Sequence, residues 1–315
     1  MRFVVTGSAG FIGRHVCTEL LDHGHDVVGI DAFTDYYDPA VKRANAAVLA
    51  ARPGYHGVEL DLATVQLDEY FDGADVVVHL AGQPGVRLSW AEHFDVYVER
   101  NITVSQRVLE AVRRAAVPRL VLASSSSVYG NAAEYPTTEE SPTRPYSPYG
   151  VTKLAMERLA GAYAANWALP VVTLRYFTVY GPGQRPDMGI HRFIAQIDGG
   201  EPVVVYGDGE QVRDFTYVSD VAAATIAASI ADVPHAAIFN VAGGASCTVN
   251  GVLKLISENV GREVIIVRQA EQPGDVRVTG GAIDRARQIL QWEPVVDLEE
   301  GIKRQVVHQL GGNHS

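Results

Sequence analysis

The chain has few cysteines, no long hydrophobic run and a deficit of positive charge, and each scarcity excludes a class of protein. Its 315 residues include two cysteines, Cys17 and Cys247, which lie in different segments and form no CxxC pair. A disulfide framework and a structural zinc site are therefore not expected. No stretch approaches the roughly 18 consecutive apolar residues of a membrane span. We expect no metal and no membrane partner.

The deficit of positive charge restricts the ligands. The 26 basic residues are outnumbered by 37 acidic ones, which gives a net charge of −11 at pH 7. This balance disfavours nucleic acid, whose phosphates require a basic surface. An anionic small molecule would need basic residues gathered locally. A strand pattern begins at Phe3 and leaves no room for a signal peptide, so the cytoplasm is the expected location.

Short apolar, β-branched runs alternate with helical patterns through the first two thirds of the chain. Because the runs are continuous rather than alternating in polarity, they are typical of strands buried on both faces of a parallel sheet. The runs are residues 3–6, 26–30, 76–80, 119–123 and 171–176, and helical periodicity covers 12–23, 101–116 and 149–167. The pattern predicts an α/β fold with a doubly wound parallel sheet of the Rossmann type.

Beyond about residue 178 the pattern changes to more glycine, proline and aspartate. Short helices are predicted near 190–198, 220–230, 250–260 and 284–290. We therefore predict a dinucleotide-binding domain over 1–177 and a smaller mixed α/β substrate-binding lobe over 178–315, with some crossing of the chain between them.

A glycine-rich loop follows the first strand and opens the first helix. Gly7, Gly10 and Gly13 permit a tight turn and a close approach of pyrophosphate to backbone N–H groups. Asp31 closes the second strand, where a carboxylate accepts bonds from ribose hydroxyls and repels a 2′-phosphate, which favours NAD over NADP. Asp61, after a further apolar segment, has two interpretations, a contact to the adenine amino group or a simple loop cap.

A tyrosine and a lysine stand four residues apart at the start of a predicted helix. Tyr149 and Lys153 therefore share one helix face. Four serines, residues 124–127, follow the strand at 119–123, where doubly wound folds bind ligands. A tyrosine with a pKa of about 10 is a poor base, but an adjacent ammonium favours the phenolate. Tyr149 is a candidate proton acceptor; an accidental surface pair beside a polar loop is the alternative.

Together these motifs resemble the extended, nucleotide-sugar-modifying branch of the short-chain dehydrogenase/reductase superfamily, from Val5 to about Pro294. The resemblance implies that Tyr149 exchanges the sugar hydroxyl proton, that Lys153 holds the nicotinamide ribose and lowers the tyrosine pKa, and that Ser125 assists. It also implies a homodimer through the helices near 92–115 and 149–167. Further NAD contacts implied by the resemblance are Phe11, Ile12, Leu62, Leu80, Ala81 and Tyr176.

The residues after Ser125 separate the reactions of this branch, which contains 4-epimerases, 4,6-dehydratases and C6 decarboxylases. In dehydratases the sequence at this point resembles Thr-Asp-Glu. Decarboxylases tend to have Glu before the Val-Tyr-Gly sequence. This chain has Ser126 and Ser127 instead. Without a second ionisable group, elimination lacks its acid and base, so the resemblance implies hydride return to a rotated 4-keto sugar. The expected reaction is 4-epimerisation.

The segment 175–188 indicates the substrate, because it looks most like the corresponding segment of UDP-glucuronate 4-epimerases. Thr178 stands where UDP-galactose 4-epimerases commonly have asparagine. Arg185 has two interpretations, a contact to the anionic sugar or a surface arginine. A C6 carboxylate would be held by the hydroxyls of Ser125, Ser126, Ser127 and Thr178. UDP-glucose or UDP-N-acetylhexosamine 4-epimerisation, and less so UDP-glucuronate decarboxylation, remain alternatives.

The UDP group requires positive charge against the acidic background. Arg213 lies in a segment that resembles the phosphate-binding arginine segment of the family, and its forked guanidinium suits a phosphate. Arg192 is a second candidate and Arg87 a third. Asp275 resembles the residue that meets the uridine ribose.

Overall fold

A computed structural model describes residues 1–244 and 246–311. The strands are β1 Arg2–Thr6, β2 Asp26–Asp31, β3 Tyr55–Glu59, β4 Val76–His79, β5 Leu120–Ser125, β6 Val171–Tyr176, β7 Thr178–Tyr180, β8 Val203–Tyr206, β9 Val212–Tyr217, β10 Ala237–Val241, β11 Ser246–Thr248 and β12 Ile266–Gln269. The α-helices are α1 Phe11–Asp22, α2 Pro39–Ala50, α3 Asp68–Phe71, α4 Phe94–Tyr97, α5 Val104–Arg114, α6 Pro148–Trp167, α7 Gly189–Gly199, α8 Val218–Ile230, α9 Val249–Val260 and α10 Leu298–Gly311.

A seven-stranded parallel sheet forms the centre of the molecule, in the order β10-β6-β5-β4-β1-β2-β3. The chain runs outwards in both directions from β1 and β4, so the order reverses between these two strands. Ligands of such sheets bind at this reversal. Phe3 and Val5 of β1 join the core on one face, whereas Val4 joins the core on the other. The predicted Rossmann-type fold class is confirmed.

The five predicted strands and the predicted helices form with small shifts of their ends. β5 extends to Ser125, so the serine run begins inside the strand and continues as a 3₁₀ turn over Ser126–Val128. The predicted helix over 101–116 starts earlier, with a π-helical segment over Val98–Thr103 before α5. Asn101 lies in that segment, and its side chain bonds to the backbone of Gln83 and to Thr152.

The second half of the chain contributes to both parts of the molecule. β10 pairs in parallel with β6 at the edge of the central sheet, and α8 packs against α1. The remaining strands of this half form a three-stranded sheet, β11-β9-β7, and a two-stranded sheet, β12-β8. These sheets pack with α7, α9 and α10 around a separate apolar cluster. The domain division at 177/178 stays a prediction. Among the described residues, no helix is long and apolar enough to cross a bilayer.

Candidate active site

A cavity of about 480 Å³, hereafter the large cavity, opens where the strand order of the central sheet reverses. The glycine loop forms its floor. Gly7 has a φ of +70°, and a Cβ on Gly13 would lie 2.0 Å from the Gly7 carbonyl oxygen. No side chain fits at that position, so glycine brings the start of α1 close to the end of β1. The backbone there lines the large cavity and suits a pyrophosphate.

Asp31 is 8% exposed and lines the large cavity. Its Oδ1 accepts a bond from the Phe33 N–H at 2.8 Å, and its Oδ2 accepts one from the Ala9 N–H at 3.2 Å. Lys42 Nζ lies 3.8 Å from Oδ1. These contacts fix the carboxylate at the expected ribose position. Lys42 also lines the cavity and was missed, because one lysine within a helical pattern carries no distinguishing sequence signal.

The cofactor residues predicted from the sequence meet at this cavity, with one exception. Asp61 does not line it, because its Oδ1 accepts bonds from Arg100 at 2.5 Å and from the Ala63 N–H at 2.9 Å. Arg100 lines the wall instead. The predicted residues that do line the large cavity are Gly7, Gly10, Phe11, Ile12, Gly13, Asp31, Leu62, Leu80, Ala81, Tyr149, Lys153 and Tyr176.

Tyr149 lies in the first turn of α6, where local signals start the helix. The Ser147 hydroxyl caps it by accepting the Gly150 N–H at 3.1 Å, and Pro148 occupies the first position. The Ser125 side chain at the end of β5 lies close enough to the Tyr149 phenol to lower its pKa, and both residues line the large cavity. Ser125 and Tyr149 therefore meet across two elements that are adjacent in space.

The electrostatics of this pair differ from the expectation that Lys153 lowers the tyrosine pKa. Burial raises the pKa of Tyr149, and the Ser125 side chain and the positive charge of Arg185 oppose that rise. Lys153 Nζ donates to the Ala123 carbonyl at 2.9 Å. Burial lowers the pKa of Lys153 to about 8. Arg185, rather than Lys153, is therefore the cation that opposes the effect of burial on the Tyr149 pKa.

A second cavity of about 160 Å³, hereafter the small cavity, adjoins the first, and Val86 lines both. Ser125, Tyr149 and Arg185 of the predicted substrate set line the large cavity. The predicted substrate residues that line the small cavity are Ser126, Ser127, Thr178, Arg213 and Asp275. The hydroxyl run and the candidate phosphate ligand therefore converge, although they lie far apart in the sequence.

The remaining arginines take different places. Arg87 Nη2 bonds to Asp275 Oδ2 at 2.9 Å, and its guanidinium lies 4.3 Å from the centre of the Tyr206 ring. Arg87 lines neither cavity, but its partner Asp275 lines the small one. Arg185 pairs with Asp187 at 2.9 Å. Arg192 lies on the exposed side of α7, outside both cavities.

Within the described residues, no group of three or more His, Cys, Asp or Glu side chains is arranged to hold a metal ion. Cys17 is buried and Cys247 half-buried, both as free thiols.

Comparison with known proteins agrees with this geometry. The profile of the NAD dependent epimerase/dehydratase family matches residues 3–242. The chain is 39% identical over 311 residues to "Uncharacterized UDP-glucose epimerase YtcB" of Bacillus subtilis, covering 98% of each chain. It is 37% identical to a UDP-glucuronate 4-epimerase of Thermodesulfobacterium geofontis, covering 96% of this chain and 94% of the relative. A crystal structure of UDP-glucuronic acid 4-epimerase from Bacillus cereus with UDP-glucuronic acid and NAD superposes with a TM-score of 0.95 at 36% identity, covering 99% of both chains.

Proposed function

Because the chain belongs to the NAD dependent epimerase/dehydratase family, we propose that it is an NAD-dependent 4-epimerase that interconverts UDP-glucuronic acid and UDP-galacturonic acid. The observation that carries the proposal is that Ser125, Tyr149 and Lys153 line the large cavity together, where the glycine loop and Asp31 also lie. The next residues of the serine run line the small cavity with Thr178, Arg213 and Asp275. Bacterial relatives of the same length act on UDP-glucuronate.

NAD, when bound, supplies the acceptor that takes a hydride from sugar C4 and gives it back. The residues of the large cavity fit this group. The backbone at Gly7, Gly10 and Gly13 would meet its pyrophosphate, and Asp31 its adenosine ribose. Lys153 would hold the nicotinamide ribose.

Tyr149 would accept the proton of the 4-hydroxyl group at its phenol oxygen. The Ser125 hydroxyl and the charge of Arg185 favour the phenolate, whereas burial opposes it. The same tyrosine would return the proton after the hydride comes back. One acid–base group therefore serves both half-reactions.

The residues around the sugar favour hydride return over elimination. Ser126 and Ser127 line the small cavity at the positions where an additional acid and base would be needed. Their hydroxyls form hydrogen bonds and do not ionise in the working pH range. If the 4-keto sugar rotates and presents its other face, hydride return inverts C4.

An acidic sugar is favoured by the hydroxyls of Ser126, Ser127 and Thr178, which line the small cavity together. Oxidation at C4 gives a β-keto acid, which loses CO₂ when its carboxylate turns perpendicular to the carbonyl plane. Several hydrogen bonds would restrain that rotation. At the other end of the substrate, Arg213 and Asp275 would meet the diphosphate and the uridine ribose.

This restraint gives a prediction for the hydroxyl groups. Thr178→Ala and Ser127→Ala each remove one hydrogen bond to the carboxylate, so the fraction of decarboxylated product should rise severalfold. Mass spectrometry of the products measures it. Equal fractions in the wild type and both variants would reject the restraint.

A second candidate substrate is UDP-glucose, which the name of the Bacillus subtilis relative favours. Purified protein should be incubated separately with UDP-glucuronic acid, UDP-glucose and UDP-N-acetylglucosamine, with NAD, and followed by NMR. We expect UDP-galacturonic acid to form with the highest kcat/KM. Faster turnover of UDP-glucose would assign the second candidate. Formation of UDP-4-keto-pentose or UDP-xylose would indicate a decarboxylase, and no product from any sugar would reject the proposal.

The assembly and the location of the protein are also proposals. We propose a homodimer through the region of α5 and α6, where Val151 and Trp167 of α6 are exposed apolar side chains. Light scattering at micromolar concentration tests the mass. A cytoplasmic location stays a prediction that cell fractionation tests.

A further inference from the structure

A buried polar network lies behind the face of α6 that carries Tyr149, Lys153 and Glu157, hereafter the catalytic face. Glu157 follows Lys153 by one helical turn. Arg175 of β6 binds Glu157 through two bonds, Nε to Oε1 at 2.9 Å and Nη2 to Oε2 at 2.7 Å. Each side chain is 3% exposed. Charges buried so deeply persist only when they are paired and hydrogen-bonded.

Three successive residues at the end of β5 each contact one residue of the catalytic face. One of these contacts is a 2.5 Å bond from the Ser124 hydroxyl to Glu157 Oε1. The three contacts are Ser125 to Tyr149, the Ala123 carbonyl to Lys153, and Ser124 to Glu157. Ser124 is also the register partner of Arg175 between β5 and β6. Helix and strand therefore meet in a fixed register at the site of proton transfer.

The charges that face Lys153 come from three elements. On α6, Glu157 opposes the effect of burial on the Lys153 pKa, and Tyr149 lies one helical turn before Lys153. On β4, burial lowers the pKa of His79 to about 3, so its ring is neutral at physiological pH. On β6, the positive charge of Arg175 is compensated by Glu157. The Glu157 carboxylate is thus the negative charge that favours the Lys153 ammonium.

We propose that Glu157 is a positioning residue that holds Tyr149 and Lys153 in register with the end of β5 and whose charge keeps Lys153 an ammonium. This inference deepens the proposed function, because that ammonium would bind the nicotinamide ribose. A carboxylate that merely braces the fold would leave the ionisation of Lys153 unchanged when it is replaced. Ionisation of Lys153 therefore separates the two roles.

The composition of the chain permits a direct measurement. The sequence contains four lysines, Lys42, Lys153, Lys254 and Lys303. Protein labelled with ¹³C at lysine Cε should therefore give four NMR signals, and Lys153→Met identifies the one of interest. A pH titration of the full-length protein gives the midpoint of Lys153 without any turnover.

Two substitutions should move that midpoint in opposite directions. Glu157→Gln keeps the size of the side chain but removes its charge, so the midpoint should fall by roughly one pH unit. Arg175→Gln leaves the carboxylate uncompensated, so the midpoint should rise. Glu59→Gln is the matched control, because Glu59 forms a similar two-bond pair with Arg43 at the surface. The Lys153 midpoint in this variant should equal that of the wild type.

A third variant separates register from charge. Ser124→Ala removes a neutral donor and keeps both charges, so kcat should fall by roughly two- to tenfold while the Lys153 midpoint stays in place. An unchanged midpoint in Glu157→Gln, or shifts of one sign in Glu157→Gln and Arg175→Gln, would overturn the proposal. If either charge variant does not fold, the sign of the other decides. Absence of epimerase activity in the wild type would reject the proposed function but leave the titration valid.

Discussion

The large and small cavities are assembled in different ways. The large cavity is built mainly by residues 7–153, among them the segments that follow β1, β2, β3, β4 and β5 and the start of α6. Residues between 176 and 189, among them Tyr176 and Arg185, complete it. The small cavity combines the turn after β5 with Thr178, Arg213 and the segment 274–279. Its shape therefore depends on how the second half of the chain packs against the first. Substitutions on the two sides should differ in kind, with effects on kcat or NAD binding on one side and on KM on the other.

The largest effect is expected at Tyr149, in the large cavity. Tyr149→Phe removes the proton acceptor but keeps the ring, so kcat should fall by roughly a thousandfold, within the range for general acid–base groups. Binding of UDP-sugar, measured by calorimetry, should change little. Tyr163→Phe on the same helix is the matched control, because its hydroxyl bonds to Glu110 away from both cavities. A Tyr149→Phe variant with nearly wild-type kcat would refute its role as base.

The next largest effect belongs to the small cavity. Arg213→Leu removes the candidate phosphate ligand, and loss of a charged hydrogen bond should raise KM by roughly ten- to a hundredfold with a smaller change in kcat. Arg192→Leu makes the same change outside both cavities and should leave KM unchanged. Steady-state kinetics compares them. A larger increase in KM for Arg192→Leu would reverse the assignment of the two arginines.

On the cofactor side a smaller effect is expected. Asp31→Asn removes the charge that repels a 2′-phosphate, so the preference for NAD over NADP should fall by roughly tenfold, the scale of one charged hydrogen bond. Fluorescence titration of both dinucleotides measures it. Arg43 and Glu59 form an exposed pair nearby, and Glu59→Gln should leave the preference unchanged. An unaltered preference in Asp31→Asn would show that another group selects the cofactor.

The sequence predicts the large cavity better than the small one, because the large cavity is built mainly by segments that follow one another and the small cavity by distant segments. The glycine loop, Asp31 and the Tyr149–Lys153 pair are marked by local spacing, because strand, turn and helix follow one another directly. The place of Arg87 could not be predicted, since its partner Asp275 is 188 residues away. Arg192 and Arg213 are both candidate phosphate ligands in the sequence, and tertiary packing places only Arg213 in the small cavity.

The two strands of the central sheet that were not predicted show the same limit. β3 is an edge strand whose residues are mostly half-buried or exposed, so it lacks the continuous apolar run of the others. β10 lies in the second half of the chain but pairs with β6. Local pattern does not reveal such long-range pairing, whereas it does reveal the five inner and doubly buried strands.

The smallest expected effect concerns stability on the cofactor side. His79 at the end of β4 has a pKa of about 3 because of burial and the nearby charge of Lys153. Below its ordinary pKa of about 6.5 the unfolded chain binds a proton that the folded chain does not, so stability present above that pH is lost as the pH falls. From pH 7 to pH 5 the free energy of unfolding should drop by about 2 kcal/mol more in the wild type than in His79→Asn.

Urea unfolding at several pH values measures this difference. His235→Asn changes an exposed histidine and is the control, which should follow the wild-type profile. Parallel profiles for the wild type and His79→Asn would show that the buried ring does not govern acid stability.

The central claim is that one hydride leaves C4 of the sugar and returns to the same carbon on its other face. UDP-glucuronic acid with deuterium at C4 should be incubated in ordinary water with the protein and an equimolar amount of NAD. We predict that UDP-galacturonic acid forms and that its C4 retains the deuterium, as read by NMR and mass spectrometry. Loss of the deuterium to solvent, or its retention only in unreacted substrate, would contradict the account.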